Sequence, residues 1–170
     1  MRDLFFRLVL VVVALMGGPL HAVELPEPRG PVVLTITFSN DLSQAAQSGP
    51  IALDREAMAS LDWQEIVTHT SFTEGPQRFA GPTLASLLEA LNIRSGSLRA
   101  QAINDYSVTI PVEHAWRHAV LLAMEHNGAR MRVRDKGPIW VVYPLEAHET
   151  DAKPFDHEMI WQLNRLSVHP

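Results

Sequence analysis

Two short stretches carry residue types that could bind a flat, polar ligand. The first, INDYSVTIP, places Asn104, Asp105 and Tyr106 in a break between two strand-like runs. A carboxylate there can accept two parallel N–H bonds from an amidine-like edge, as it does from arginine. The second, GPIWVVYP, sets Trp140 inside an apolar run, where an indole can stack on a heterocycle. Together they predict a ligand such as a pterin, whose 2-amino and 3-NH groups present this edge.

The same residues also have structural interpretations. Asn and Asp often build turns by bonding their own backbone, and a large aromatic such as Trp140 or Trp161 fills a core by default. Successive side chains of a strand point to opposite sides, so Trp140 faces either the core or a pocket. Arg134 and Lys136, just before the run, fit a solvated basic face better than a contact with the ligand.

Metal and catalytic sites are weakly indicated. His114 and His118 stand four apart in a helix-like stretch, but no pattern supplies a third ligand. His148 and His157 lie in an acidic polar loop, where only adventitious ion binding is expected. The chain contains no cysteine, so no thiolate nucleophile or thiolate metal ligand is available. We predict no catalytic dyad and no metal site.

The elements that must position these residues mix strands and short helices without a regular βαβ rhythm, which indicates an α+β fold. β-Branched and aromatic runs predict strands, and apolar residues at helical spacing predict helices. The predicted strands are 32–38, 65–72, 98–103, 106–111, 137–144 and 159–168. The predicted helices are 53–61, capped by Asp54, 82–93, with Pro82 in the first helical position, and 112–128, ended by Asn127-Gly128.

The first 22 residues resemble an export signal. Arg2 and Arg7 precede an apolar run from Leu8 to Met16, and small residues lead to a cleavage site after Ala22, as in a cleaved signal peptide. Residues 23–31 are a proline-rich tether, and 32–170 form a single domain. Without Arg2, Arg7 and Asp3, the 14 basic and 19 acidic residues become 12 and 18, a net charge of −6. We therefore expect a periplasmic protein that does not bind nucleic acid.

Four segments, in order, resemble the sulfite-oxidase-type molybdopterin-binding domain: FAGPTLASLLEAL, AINDYSVTIP, LLAMEHNGARMRVRDKGPIWVVYP and WQLNRLSV. The resemblance runs from Val32 to Val168. It is closest to a branch of small periplasmic proteins often labelled molybdopterin-dependent oxidoreductase. It implies an α+β fold with a mixed, barrel-like sheet core and short helices.

In the enzymes of this fold one cysteine ligates molybdenum, and this chain has Thr70 or Ser71 near that place. The resemblance therefore implies the fold without the molybdenum cofactor. Members of the cysteine-less branch resemble binding proteins for free reduced pterins of the tetrahydropterin type. They are expected to report to the periplasmic domain of an inner-membrane cyclic-di-GMP enzyme. The predicted site is Asp105 as acceptor, Asn104 as second partner, Tyr106 as wall and Trp140 as stacking surface, with second-rank candidates Thr70, Arg78, Phe79 and Trp161.

Two other functions stay open at this point. The first is a molybdopterin-dependent oxidoreductase that lacks the usual metal-ligating cysteine. The second is a protein-docking module, whose partner surface would be the polar loop 145–158, since loops of this length are often functional. Docking is compatible with pterin binding, because a sensor must contact its receiver.

Overall fold

The computed structural model describes residues 25–39, 49–152 and 154–170. The signal peptide predicted for residues 1–22 and the first two residues of the predicted tether lie outside the described residues. In chain order the elements are β1 (Val32–Phe38), β2 (Ile51–Asp54), α1 (Arg55–Ala59), β3 (Trp63–Thr68), β4 (Gln77–Pro82), α2 (Leu84–Ala90), β5 (Ser97–Ala102), β6 (Ser107–Pro111), α3 (Val112–Arg117), β7 (Leu121–Ala123), β8 (Glu125–His126), β9 (Ala129–Arg130), β10 (Trp140–Val142) and β11 (Leu163–His169). Two 3₁₀ turns, Val133–Asp135 and Ala147–Ala152, flank β10.

The described strands form three sheets. The largest has the order β2-β1-β11-β5-β6. In this sheet β1 and β11 are parallel, and the other three neighbouring pairs are antiparallel. A second joins β3, β4, β8 and β9, and a third pairs β10 with β7. The predicted α+β class is confirmed, and none of these three sheets closes into a barrel.

Helix α1 begins at the predicted cap. The Asp54 carboxylate accepts bonds from the backbone N–H of Ala57 at 2.9 Å, Arg29 at 2.7 Å and Gly30 at 2.8 Å. These bonds, with Ala57 contributing most, hold the pKa of Asp54 below its ordinary value. One side chain therefore fixes the helix start and attaches the end of the predicted tether to the domain.

Strand β10 separates two apolar clusters. Trp140 and Val142 pack in the smaller one with Phe79 and Met131. The alternate positions, Ile139, Val141 and Tyr143, pack in the larger one. All five residues of the run 139–143 are fully buried, so the strand has core on both faces.

The helix predicted over 112–128 is wrong beyond its first turns. Helix α3 ends at Arg117, and Ala119 has a left-handed backbone with φ 47°. The buried run that follows forms β7. Asn127 and Gly128 both have positive φ and connect β8 to β9, as a two-residue hairpin turn requires.

Other predicted boundaries also differ from the structure, among them the strand predicted over 137–144, of which β10 forms only Trp140–Val142. Pro82 is the last residue of β4, and Thr83 caps α2 by accepting from the Ser86 N–H at 3.2 Å. The strand predicted over 65–72 begins at Trp63 and ends at Thr68. The closing strand begins at Leu163, not at Met159. No helix among the described residues is long and apolar enough to cross a membrane.

Candidate functional site

A cavity of about 280 Å³ opens between three segments of the chain. These are the loop after β3, the turn between β5 and β6, and the segment leading into β11. We call it the candidate pocket; its lining residues are Phe72, Ala102, Asn104, Tyr106, Asp156, His157, Met159, Ile160 and Trp161. Three of the predicted site residues, Asn104, Tyr106 and Trp161, thus border one cavity.

The turn at residues 102–106 supports both interpretations made from the sequence. The Asn104 side chain accepts from the Tyr106 N–H at 3.3 Å, and the Asp105 N–H donates to the Ala102 carbonyl at 3.0 Å. Asp105 has φ 68° and is exposed; its carboxylate accepts from the Gln101 amide at 2.8 Å. The two Asx residues therefore build the turn, while Asn104 and Tyr106 also border the candidate pocket and Asp105 does not line it.

Asp156 is a carboxylate at the candidate pocket that the sequence did not single out as a site residue. It is partly buried, and its Oδ1 accepts from the Ser71 hydroxyl at 2.7 Å. The bond ties the loop after β3 to the segment that leads into β11. The only sequence signal was the polar loop itself, where Asp156 is one of several acidic residues.

Lys136 lies in an aromatic box formed by Phe72, Trp140 and Trp161. Its Nζ is 4.2 Å from the ring centre of Trp140, 5.3 Å from that of Trp161 and 5.9 Å from that of Phe72. The ammonium group donates to the Phe72 carbonyl at 3.3 Å, and burial lowers the pKa of Lys136. The solvated face predicted here holds for the exposed Arg134 but is wrong for Lys136.

Trp140 lies in the core wall behind the candidate pocket. It has no exposed surface, and its indole N–H donates to the Met159 carbonyl at 3.2 Å. Its ring meets Phe79 edge-on at 5.2 Å and Trp161 at 6.3 Å. A stacking role for Trp140 stays a prediction that would need the aromatic box to open, whereas Trp161, 38% exposed, already borders the cavity.

The remaining second-rank candidates lie outside the cavity lining. Phe79 is buried and stacks on His126 at 4.8 Å; burial, with a smaller effect of the Lys136 charge, lowers the pKa of His126. Arg78 is exposed and pairs with Glu65 at 3.3 Å. Thr70 is buried.

A second aromatic group lies on the other face of β10 from Trp140. It consists of His114, His118, Tyr143 and Phe155, and we call it the imidazole cluster. His114 Nδ1 and the Tyr143 hydroxyl are 3.1 Å apart, and Tyr143 stacks on Phe155 at 4.3 Å. Burial, and then the charge of Glu158, raise the pKa of Tyr143. Both histidines are half-buried and pack among these rings. The described residues contain no group of three or more His, Asp or Glu that could hold a metal.

The fold and the cavity define a small α+β domain with a ligand-sized pocket at one end of its main sheet. Residues 53–153 match the family described as oxidoreductase molybdopterin binding domain. This match covers more than half of the chain, so the protein belongs to that family. No curated protein gave a match to the chain.

The donor atoms near the predicted ligand position do not fit a molybdenum centre. The chain contains no cysteine that could supply a soft thiolate ligand. The Thr70 hydroxyl lies 2.9 Å from that of Thr73 and accepts from the Phe72 N–H at 3.2 Å. The Ser71 hydroxyl donates to Asp156. Both hydroxyls are engaged within the protein, so we derive no chemistry through a metal.

Proposed function

We propose that this protein is a non-catalytic binding protein for a reduced pterin of the tetrahydropterin type. We further propose that it acts in the periplasm, after export, and reports pterin to the periplasmic domain of an inner-membrane cyclic-di-GMP enzyme. The observation that carries the proposal is the candidate pocket. Phe72 and Trp161 border it, polar groups lie on its rim, and the chain is a member of a pterin-cofactor family without a metal-ligating cysteine.

The aromatic lining suits a flat ring. Phe72 and Trp161 meet edge-on at 5.2 Å, and both border the cavity together with the apolar side chains of Met159 and Ile160. Stacking of a heterocycle on one such ring stabilises a complex by about 1–3 kcal/mol. Trp161 is the better candidate for the stacking wall because its ring is partly exposed.

The polar rim suits the 2-amino and 3-NH edge of a pterin. Asp156 lines the cavity and keeps its second carboxylate oxygen outside the Ser71 bond. A charge-assisted hydrogen bond of this type contributes about 1.5–3 kcal/mol. We therefore propose Asp156 as the main acceptor, with Asn104 as a second partner, and retain Asp105 as the alternative acceptor.

Calorimetric titration with tetrahydrobiopterin, without oxygen, tests this assignment. We expect Asp156→Asn to weaken binding about ten- to a hundredfold, because an amide offers an N–H where the ligand also donates. Asp105→Asn, which keeps the shape of the turn, is the matched control with a small expected effect. The reverse pattern would transfer the acceptor role to Asp105, and wild-type protein that binds no pterin would refute the proposed function.

The alternative enzyme function has one observation in its favour, the family description itself. An oxidoreductase would need molybdenum without a thiolate ligand. Elemental analysis of protein from a host that makes the molybdenum cofactor decides between the two: stoichiometric molybdenum would support the enzyme.

A further inference from the structure

Exposed apolar side chains gather around the mouth of the candidate pocket. Seven large apolar side chains are exposed in the described part of the chain, and four of them lie on three segments that meet here. They are Ile103 (45% exposed), Tyr106 (56%), Val133 (50%) and Trp161 (38%). Isolated exposed apolar residues are ordinary, whereas a group of them on adjoining segments is typical of an interaction site. We call these four residues the rim patch.

Gln162 holds the three segments of the rim patch together. Its side-chain amide donates to the Val133 carbonyl at 2.9 Å, and its backbone N–H donates to the Lys136 carbonyl at 2.9 Å. Its own carbonyl accepts from the Ile103 N–H at 3.0 Å. Gln162 has φ 56°, a conformation that is unfavourable for a residue other than glycine and that persists where surrounding bonds fix it. The surface is therefore rigidly built.

The charges around Val133 are mainly positive, although the whole chain is acidic and the exposed Asp105 adjoins Tyr106 of the patch. The segment 130–136 contains Arg130, Arg132, Arg134 and Lys136 against one acid, Asp135, in a chain of net charge −5. The three arginines are exposed, and Arg132 and Arg134 lie directly on either side of Val133. Asp135 pairs with Arg132 at 2.5 Å and lies 3.9 Å from Arg134. A net positive charge thus remains beside the apolar centre.

We propose that the rim patch docks on an acidic surface of another protein that has an apolar side chain at its centre. The proposal rests on the proposed function, since it assigns the face that contacts the receiver. Tyr106 and Trp161 belong both to the patch and to the candidate pocket, so a bound ligand contributes to the same interface. An anionic membrane would meet the same basic side chains, and the experiment below distinguishes it from a protein partner. The docking role predicted for loop 145–158 stays a prediction, and Asp156 and His157 of that loop line the same pocket.

Site-specific photocrosslinking tests the proposal in cells of the organism that makes the full chain. Val133→p-benzoylphenylalanine and Ile103→p-benzoylphenylalanine place the crosslinker in the patch. Val67→p-benzoylphenylalanine is the matched control, because Val67 is 64% exposed but lies on β3, in another sheet. Both patch positions are expected to crosslink one and the same protein, and Val67 is not. Combining Arg132→Glu with Arg134→Glu is expected to lower the yield about tenfold, since like charges then oppose each other.

Four outcomes would overturn the proposal: no crosslinked protein at either patch position, the same product at Val67, a yield that charge reversal leaves unchanged, or crosslinks to phospholipid. Wild-type binding to vesicles of phosphatidylethanolamine and phosphatidylglycerol that Val133→Asp weakens would equally count against it, because the patch would then dock on a membrane. Calorimetry with tetrahydrobiopterin on Val133→Asp separates this inference from the proposed function. We expect Val133→Asp to bind pterin as the wild type does. A wild-type protein that binds no pterin would refute the proposed function but would leave the crosslinking result intact.

Discussion

The aromatic box and the imidazole cluster are built from similar rings but differ in what they leave open. In the imidazole cluster, Tyr143 is fully buried and stacks on Phe155 with an interplanar angle of 12°. In the box, the rings meet edge-on around the ammonium of Lys136, and Trp161 keeps 38% of its surface exposed beside a cavity. Aromatic residues alone therefore do not indicate a binding site. What distinguishes the box is an exposed ring that borders a cavity lined by polar groups.

The sharpest form of this comparison is between the two tryptophans of the box. Trp140→Ala removes a fully buried indole that packs on Phe79, so we expect it to lower the free energy of unfolding by about 3–5 kcal/mol. Trp161→Ala removes a partly exposed ring and is expected to cost about 1 kcal/mol or less. Urea unfolding measures both. Equal losses would mean that Trp161 is a core residue and would remove the distinction.

Ligand affinity is expected to distinguish two exposed tryptophans, Trp161 at the candidate pocket and Trp116 away from it. Trp161→Ala should weaken tetrahydrobiopterin binding about 5- to 100-fold, because stacking on one ring contributes about 1–3 kcal/mol. Trp116 is a matched control, because it is 40% exposed and does not line the candidate pocket. The Arg94 guanidinium lies 5.3 Å from its ring centre. Calorimetric titration of the two variants measures the difference. If Trp116→Ala weakened binding as much, the pocket assignment would fail.

The imidazole cluster is expected to respond in stability and not in binding. Tyr143→Phe removes the hydroxyl that lies 3.1 Å from His114 Nδ1 and should lower the free energy of unfolding by about 1 kcal/mol. The ring stack on Phe155 remains, so pterin affinity should stay within the error of the titration. A large loss of affinity with little loss of stability would show that this cluster, too, serves a ligand.

The smallest expected effect is the pH dependence that Lys136 gives to stability. Burial lowers the pKa of Lys136 in the folded state, so the unfolded chain binds more protons at pH values between the two pKa values. The free energy of unfolding therefore rises as pH rises towards the ordinary lysine value of about 10.4. Lys136→Met should lack this rise. Urea unfolding at about pH 8 and about pH 10.5, on both proteins, measures it, and identical slopes would contradict it.

Local chemistry in the sequence was sufficient for part of the fold. The cap at Asp54, the β-branched run 32–38 and the break at residues 104–105 are each determined by near neighbours, and the structure has them as predicted. The helix predicted over 112–128 failed because a short apolar run is compatible with either a helix or a buried strand. Residues 121–123 form a strand because they pair with β10, which lies later in the sequence and outside the local pattern.

The candidate site was predictable to a smaller extent, for the same reason. Asn104, Tyr106 and Trp161 border the cavity, but Asp156 and Phe72 belong to loops that are distant in sequence and that meet at the Ser71–Asp156 bond. The core location of Trp140 depends on β10 having apolar neighbours on both faces. An alternating pattern cannot reveal this, because it assumes that one face of a strand meets solvent.

The most direct test of the central claim is mass spectrometry and metal analysis of what the natively purified protein, never refolded, releases on denaturation. The account predicts a reduced pterin, or its oxidised product, without molybdenum. Stoichiometric molybdenum with molybdopterin would contradict it, because the metal would then be held without a thiolate and the protein would be an enzyme.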